Sequence, residues 1–156
     1  MQIWFAQRRY EELDALLASH GFAIAARESR WDERSDDDPP VGCVRVHGWP
    51  LDERGKVDRR VTVTLTERWS PQQPTSAATE HQGHWRTEYA YVARIDGVSR
   101  TTQLRYDFDP ERHPEMPYHS HSLSGDRTPW RPFDPGEFMQ AVQQRVANAF
   151  EEGQLE

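Results

Sequence analysis

Cysteine and lysine are almost missing from this chain. Cys43 is the single cysteine among 156 residues, so no internal disulfide and no cysteine-built zinc site can form. Lys56 is the single lysine, beside 18 arginines. Arginine is the stronger clamp for phosphate and carboxylate, although an arginine-rich genome composition produces the same count. Long apolar runs are absent too. No stretch approaches the roughly 18 apolar residues of a spanning helix. The opening MQIWFAQRRYEEL has no basic segment leading into an apolar run, so no signal peptide is expected. A cytoplasmic protein without a membrane partner is the expectation. The chain also lacks GxGxxG after a strand, a Gly-Lys-Ser/Thr phosphate loop, HExxH and GxSxG. Nucleotide-dependent, zinc-protease and serine-hydrolase chemistry therefore have no support. Positive charge is scarce overall: the net charge is −7. That disfavours loose binding along duplex nucleic acid and leaves local phosphate binding open.

The chain has the length of one domain, at about 150 residues per domain. Apolar residues make up a lean 35%, but six Trp, five Tyr and six Phe supply large buried areas. The spacing of Tyr10, Leu13, Leu16 and Leu17 predicts a helix over 10–19, possible from Ile3 onward, with Gly21 just past its end. Phe22, Ile24 and Ala26 alternate weakly as a strand. The segment 31–40, WDERSDDDPP, reads as a solvated acidic loop without the pattern of a calcium loop. Strands are predicted at 41–49, at 60–69 where Val61, Val63 and Leu65 alternate with threonines, and at 85–95 with Trp85, Thr87, Tyr89, Tyr91 and Ala93 on one side. A polar loop separates the last two near 70–84. Asp96-Gly97 predicts a type I′ turn and an antiparallel return over 98–108. Asp134 followed by Pro135 and Glu137 marks a helix start, and Phe138, Val142, Val146 and Phe150 form one stripe. The fold class expected is α+β: a single domain, 1–156, with an antiparallel meandering sheet of four to five strands. An N-terminal and a C-terminal helix would pack on one face.

Chemistry gathers in LRYDFDPERHPEMPYHSHSLSGDRTPWRP, where His113, His119 and His121 fall within nine residues. Pro110, Pro114 and Pro117 deny the segment a helix. In extended chain His119 and His121 point the same way. Three readings stay open. A polar surface turn carries the same residues. A divalent metal ion could be held by His113, His119 and His121 with Glu115, Asp107 or Asp109. Without any cofactor, two imidazoles can exchange protons during phosphodiester cleavage while arginines hold the phosphorus charge. His81 and His84 read as surface histidines, and Cys43 as a buried thiol.

The residues Arg105-Tyr106-Asp107, His113-Pro114-Glu115 and His119-Ser120-His121, followed by the helix from Asp134, resemble the TumE-like toxin family of bacterial and archaeal toxin–antitoxin systems. The match covers about residues 85–150. The sequence departs from the family's denser histidine group at Ser120, and the 31–40 and 70–84 loops are not family features. The resemblance implies a growth-inhibiting toxin neutralised by a cognate antitoxin protein. Ribonuclease activity is an inference from the histidines and arginines. In that reading His119 and His121 are acid and base, and His113 orients one of them or binds phosphate. Asp107 fixes a tautomer, and Arg105 and Arg112, with Tyr106 beside them, bind substrate. The competing readings are a non-enzymatic interaction module and a metal-dependent hydrolase.

Overall fold

The computed structural model describes residues 2–32, 41–74 and 78–156. Side chains of 2–4, 28–32 and 41 lie outside that description, and so does the acidic loop beyond residue 32. The order is α1 (Gln2–Ser19), β1 (Phe22–Asp32), β2 (Val41–Pro50), β3 (Val61–Ser70), β4 (Thr79–His81), β5 (His84–Asp96), β6 (Thr101–Phe108), β7 (Tyr118–His121), β8 (Arg127–Pro129) and α2 (Pro135–Glu151). All strand pairings are antiparallel. The path is β1-β2-β3-β5-β6-β7-β8, with β4 paired to β5.

The α+β class and the two helices agree with the sequence reading, but the sheet has eight strands, not four to five. The three extra strands, β4, β7 and β8, are three or four residues long. Such short pieces cannot display a hydrophobic period, and proline and serine around them read as loop. Within the predicted 70–84 loop, β4 and β5 form a hairpin. Gln82 (φ 51°) and Gly83 (φ 79°) turn it, as a two-residue hairpin with both central residues at positive φ requires.

The threonine alternation of β3 decides the faces. Val61, Val63 and Leu65 are fully buried while Thr62, Thr64 and Thr66 are half-buried. Opposite them in β5 stand Ile95, Ala93 and Tyr91, and opposite those in β6 stand Thr102, Leu104 and Tyr106. Both helices seal this face. Leu13 and Leu17 of α1 and Phe138, Met139 and Val142 of α2 share one cluster with Val44, Val46, Val63, Leu65 and Tyr91. Each large aliphatic or aromatic side chain buried this way contributes about 1.5–3 kcal/mol of transfer free energy. Among the described residues no helix lies on the other face of the sheet.

Both helix ends follow their signals. Gly21 takes φ 77°, where only glycine is unstrained. Asp134 accepts the Glu137 N–H at 2.8 Å, with Pro135 in the first turn. Phe150, expected on the apolar stripe, is instead 48% exposed. The stripe is carried past it by Ala149, which is buried with Leu155 of the tail. The turn after β5 also differs. Asp96 pairs with Thr101, so residues 97–100 form a four-residue loop rather than a two-residue turn. Gly97 donates to the Arg100 carbonyl, and Val98 donates to the Gln154 carbonyl, so the C-terminal tail sets the loop. A side chain at Gly97 would meet Gln154 Oε1 at 2.6 Å.

The face assignment in β5 needs one correction. Trp85 and Thr87 do not share a side with Tyr89 and Tyr91. A bulge between Arg68 and Trp69 shifts the register, and His84 and Arg86 take the buried side instead. His84 is no surface histidine: it is buried and stacked on Phe5 at 4.0 Å. Cys43 is half-buried in β2.

Candidate functional site

On the open face, β6 and β7 place Asp107 directly opposite His119. Strand periodicity puts Arg105 and His121 one step further along the same face. The sequence thus folds the Arg-x-Asp and His-x-His spacings into one four-residue group. A loop over 109–117 closes above it. Its turns are fixed by the His113 N–H to the Asp109 carbonyl, the Met116 N–H to the His113 carbonyl and the Asp109 N–H to the Pro117 carbonyl. His119 beneath is 1% exposed.

The donor atoms converge. His119 Nε2 lies 3.0 Å from His121 Nε2. His121 Nε2 lies 3.0 Å from Asp107 Oδ2, and His119 Nε2 lies 3.8 Å from the same oxygen. Asp107, His119 and His121 are the group of possible metal ligands among the described residues. His119 Nδ1 is 2.9 Å from the Met116 carbonyl, which can only accept, so Nδ1 carries the proton. Neutral His119 therefore presents a bare lone pair at Nε2. His121 Nε2 faces two acceptors, so it supplies the proton between them. Burial holds the His121 pKa below its ordinary value; Asp107 opposes this, while Arg105, His119 and Arg127 reinforce it.

Arg105 grips Asp107 with two bonds, Nε to Oδ1 at 3.0 Å and a terminal nitrogen to Oδ2 at 2.9 Å. The fork fixes the carboxylate plane, with Oδ2 turned to the histidines. His113 is not part of the donor group. Its ring packs edge-on against His119 at a centroid distance of 5.1 Å, and its Nδ1 is 3.7 Å from Glu115 Oε1. Glu115 is 70% exposed. Hence the four-ligand set His113, His119, His121 and Glu115 is not assembled, and Asp107 takes the place of the outer two. Arg112 stands exposed at the loop, 3.9 Å from Asp109. Tyr106 is not at the site. Odd–even alternation turns it to the helix face, where it stacks on Phe133 at 4.5 Å.

A second buried polar group lies on the helix face. Glu67 is fully buried and accepts four bonds. Two come from Arg9 (2.7 and 2.9 Å), one from the Trp69 indole (2.9 Å) and one from the Tyr91 hydroxyl (2.6 Å). Arg86 donates in turn to Tyr91 at 2.7 Å and lies over the Tyr89 ring. Burial pushes the Glu67 carboxyl up, but Arg9, Arg86 and the Tyr91 hydroxyl outweigh it, and its pKa falls to about 2. Sequence reasoning missed this group. The signal was present: Glu67 continues the buried parity of Val61, Val63 and Leu65.

Comparison with family models, with curated proteins and with solved structures finds no match to this chain. No helix among the described residues is long and apolar enough to cross a membrane.

Proposed function

We propose that the protein is a small toxin-like ribonuclease whose centre is Asp107, His119 and His121, and that this centre works with a divalent cation. The observation that carries the reading is the convergence of three ligand atoms spaced 3.0, 3.0 and 3.8 Å apart. A tetrahedral shell with metal–ligand bonds of about 2.0–2.2 Å spaces its ligands at about 3.3 Å, between those values. Tying His119 Nδ1–H to a carbonyl is the orientation that metal-bound imidazoles use. Two histidines and one carboxylate suit a first-row divalent ion and leave positions open. A cation there supplies Lewis acidity and an activated water. Arg105 holds Asp107 in place.

The separation of the two rings also argues against the simplest metal-free scheme. An acid and a base that act on opposite sides of one phosphate need that phosphate between them. Nitrogens 3.0 Å apart leave no room for it. One observation does favour a metal-free centre: the Arg105 fork already neutralises Asp107. In that second reading the histidine pair passes a single proton, and phosphate binds from the solvent side.

The toxin role, with a cognate antitoxin protein as partner, rests on the resemblance of residues 85–150. The test is RNA cleavage by purified protein, with EDTA and with Zn²⁺ or Mn²⁺ restored, beside His119→Ala. Loss in EDTA and recovery with metal support the cation centre. Cleavage that survives EDTA but not the substitution moves the same residues to the metal-free reading. Absence of cleavage in every arm removes the ribonuclease reading. Growth arrest on expression, relieved by His119→Ala, tests the toxin role.

A further inference from the structure

The sheet is unfinished along β6. β5 accompanies this strand from Thr101 onward, but β7 joins its other side only at Tyr106, Asp107 and Phe108. Over 101–105 no strand stands on that outer side among the described residues. The direction of the main chain there is fixed. The Gly97 N–H reaches the Arg100 carbonyl, while the Asp96 N–H turns away to the Arg60 carbonyl. In an antiparallel ladder this direction alternates residue by residue. Even-numbered residues of β6 therefore bond to β5, and odd-numbered ones turn their N–H and C=O outward. The bond from the Asp109 N–H to the Pro117 carbonyl keeps the same parity. Thr101 and Gln103 thus carry outward donors and acceptors with no strand to take them. β6 runs here without a register shift. The far edge strand, β1, is broken by a bulge at Ile24 and Ala26, a device that blunts pairing.

Beside this edge lies a cleft of about 300 Å³ between β6 and α2. Leu104 and Tyr106 of β6 and Ala141 of α2 give it an apolar lining. Trp130, 47% exposed, stands 5.6 Å from the Tyr106 ring. Three charged residues line the cleft: Arg100, Arg145 and Glu152. Arg100 and Glu152 pair with each other. Arg145 is exposed, with no acid three or four residues away along α2 and no ion-pair partner among the described residues. Arg131, also near Tyr106, is already paired with Glu137. These features make one consistent demand. The edge takes an extended main chain, the cleft takes alternate side chains, and the cation takes a carboxylate.

We infer that the cleft between β6 and α2 is a docking groove for an extended peptide segment of a partner protein. The segment adds a strand to β6 at Thr101 and Gln103, places an apolar side chain on Leu104 and Tyr106, and sets an acidic residue against Arg145. The inference stands apart from the ribonuclease reading.

The probe is a library of random twelve-residue peptides displayed on phage and selected on the whole protein. The best sequence is then synthesised with a fluorophore, and its affinity is read by anisotropy. Selected sequences should alternate apolar residues and carry Asp or Glu. Gln103→Pro should weaken binding at least tenfold. Its N–H points outward, so proline removes a donor to the peptide and none to β5. Methylating the peptide's own edge-facing main-chain nitrogens reads the same contact on the unaltered protein and should cost as much. Arg145→Glu should weaken binding about three- to tenfold, and replacing the peptide's acid by Lys should restore it. Thermal melts of both variants should match the wild type. No enriched peptide, a selected set without acids, or a peptide indifferent to Gln103→Pro and to methylation overturns the groove. So does a dimer in sedimentation equilibrium that Gln103→Pro dissolves, because the edge then belongs to a second copy. Peptide binding by a protein that cleaves no RNA keeps the groove and removes the ribonuclease. Cleavage without peptide binding does the reverse.

Discussion

Two buried carboxylates sit on opposite faces of one sheet, and they are treated differently. Glu67 on the helix face is surrounded by donors: two arginine bonds, an indole and a phenol fill its oxygens. Asp107 on the open face has one arginine fork and then two histidines whose nitrogens point at each other. The first group is complete within the fold, so its chemistry ends in stability. The second sets the His119 nitrogen and the Asp107 oxygen around one His121 N–H, a proton that can be moved or exchanged for a cation. Burial alone therefore does not mark a site; the balance of donors and acceptors around the buried charge does.

The sharpest way to break the contrast is to neutralise both carboxylates. Glu67→Gln leaves buried Arg86 without its counter-charge and Arg9 with Glu12 alone. Breaking such a pair costs about 3–5 kcal/mol, a large share of the roughly 5–15 kcal/mol of a typical domain. Urea unfolding should show that loss. Asp107→Asn should instead abolish cleavage and lower Zn²⁺ affinity by about 100-fold or more, with a much smaller change in the urea midpoint. If the two substitutions gave equal destabilisation, the distinction would fail.

Acid should separate the faces as well. The Glu67 pKa is depressed to about 2. Its stabilisation is thus fully present above the ordinary carboxylate range and is lost as pH falls towards 2. Urea unfolding between pH 2.5 and 6 should fall with acid in the wild type, and Glu67→Gln should lack that part of the slope. Arg105→Gln is a milder probe. It removes the fork from Asp107 without touching a histidine, and kcat should drop about tenfold while the melting temperature moves by a degree or two. The smallest effect belongs to Tyr106→Phe. Its ring is stacked on Phe133 on the far face, so cleavage should stay within about twofold.

Much of this contrast was written in the chain at short range. The Val61/Thr62 alternation, the Asp134–Pro135 helix start and the His119/His121 spacing each reflect one local period, and the structure keeps them. Other features depend on partners far away in sequence. Asp107 reaches His119 only because a loop of nine residues, 109–117, brings β7 back beside β6. The exchange of His113 and Glu115 for Asp107 follows from that register, which spacing along the chain does not encode. Tyr106 was drawn into the site by its neighbours in sequence, and strand alternation sends it away. Arg86 and His84 were misplaced by a bulge that only the pairing with β3 reveals. The four-residue loop at 97–100 is set by Gln154, more than fifty residues on.

The order of the strands has a consequence for synthesis. Successive strands from β1 to β8 are mostly neighbours in space, so the sheet can zip up hairpin by hairpin as the chain leaves the ribosome. Its lid arrives late. Phe138, Met139 and Val142 cover Tyr91 and Leu65, yet they follow them by more than forty residues. At about 5–20 residues per second, several seconds pass in which a nearly finished sheet shows a bare aromatic face. That interval is when the nascent chain is most exposed to sticking to others and to chaperone capture, and it closes when α2 docks.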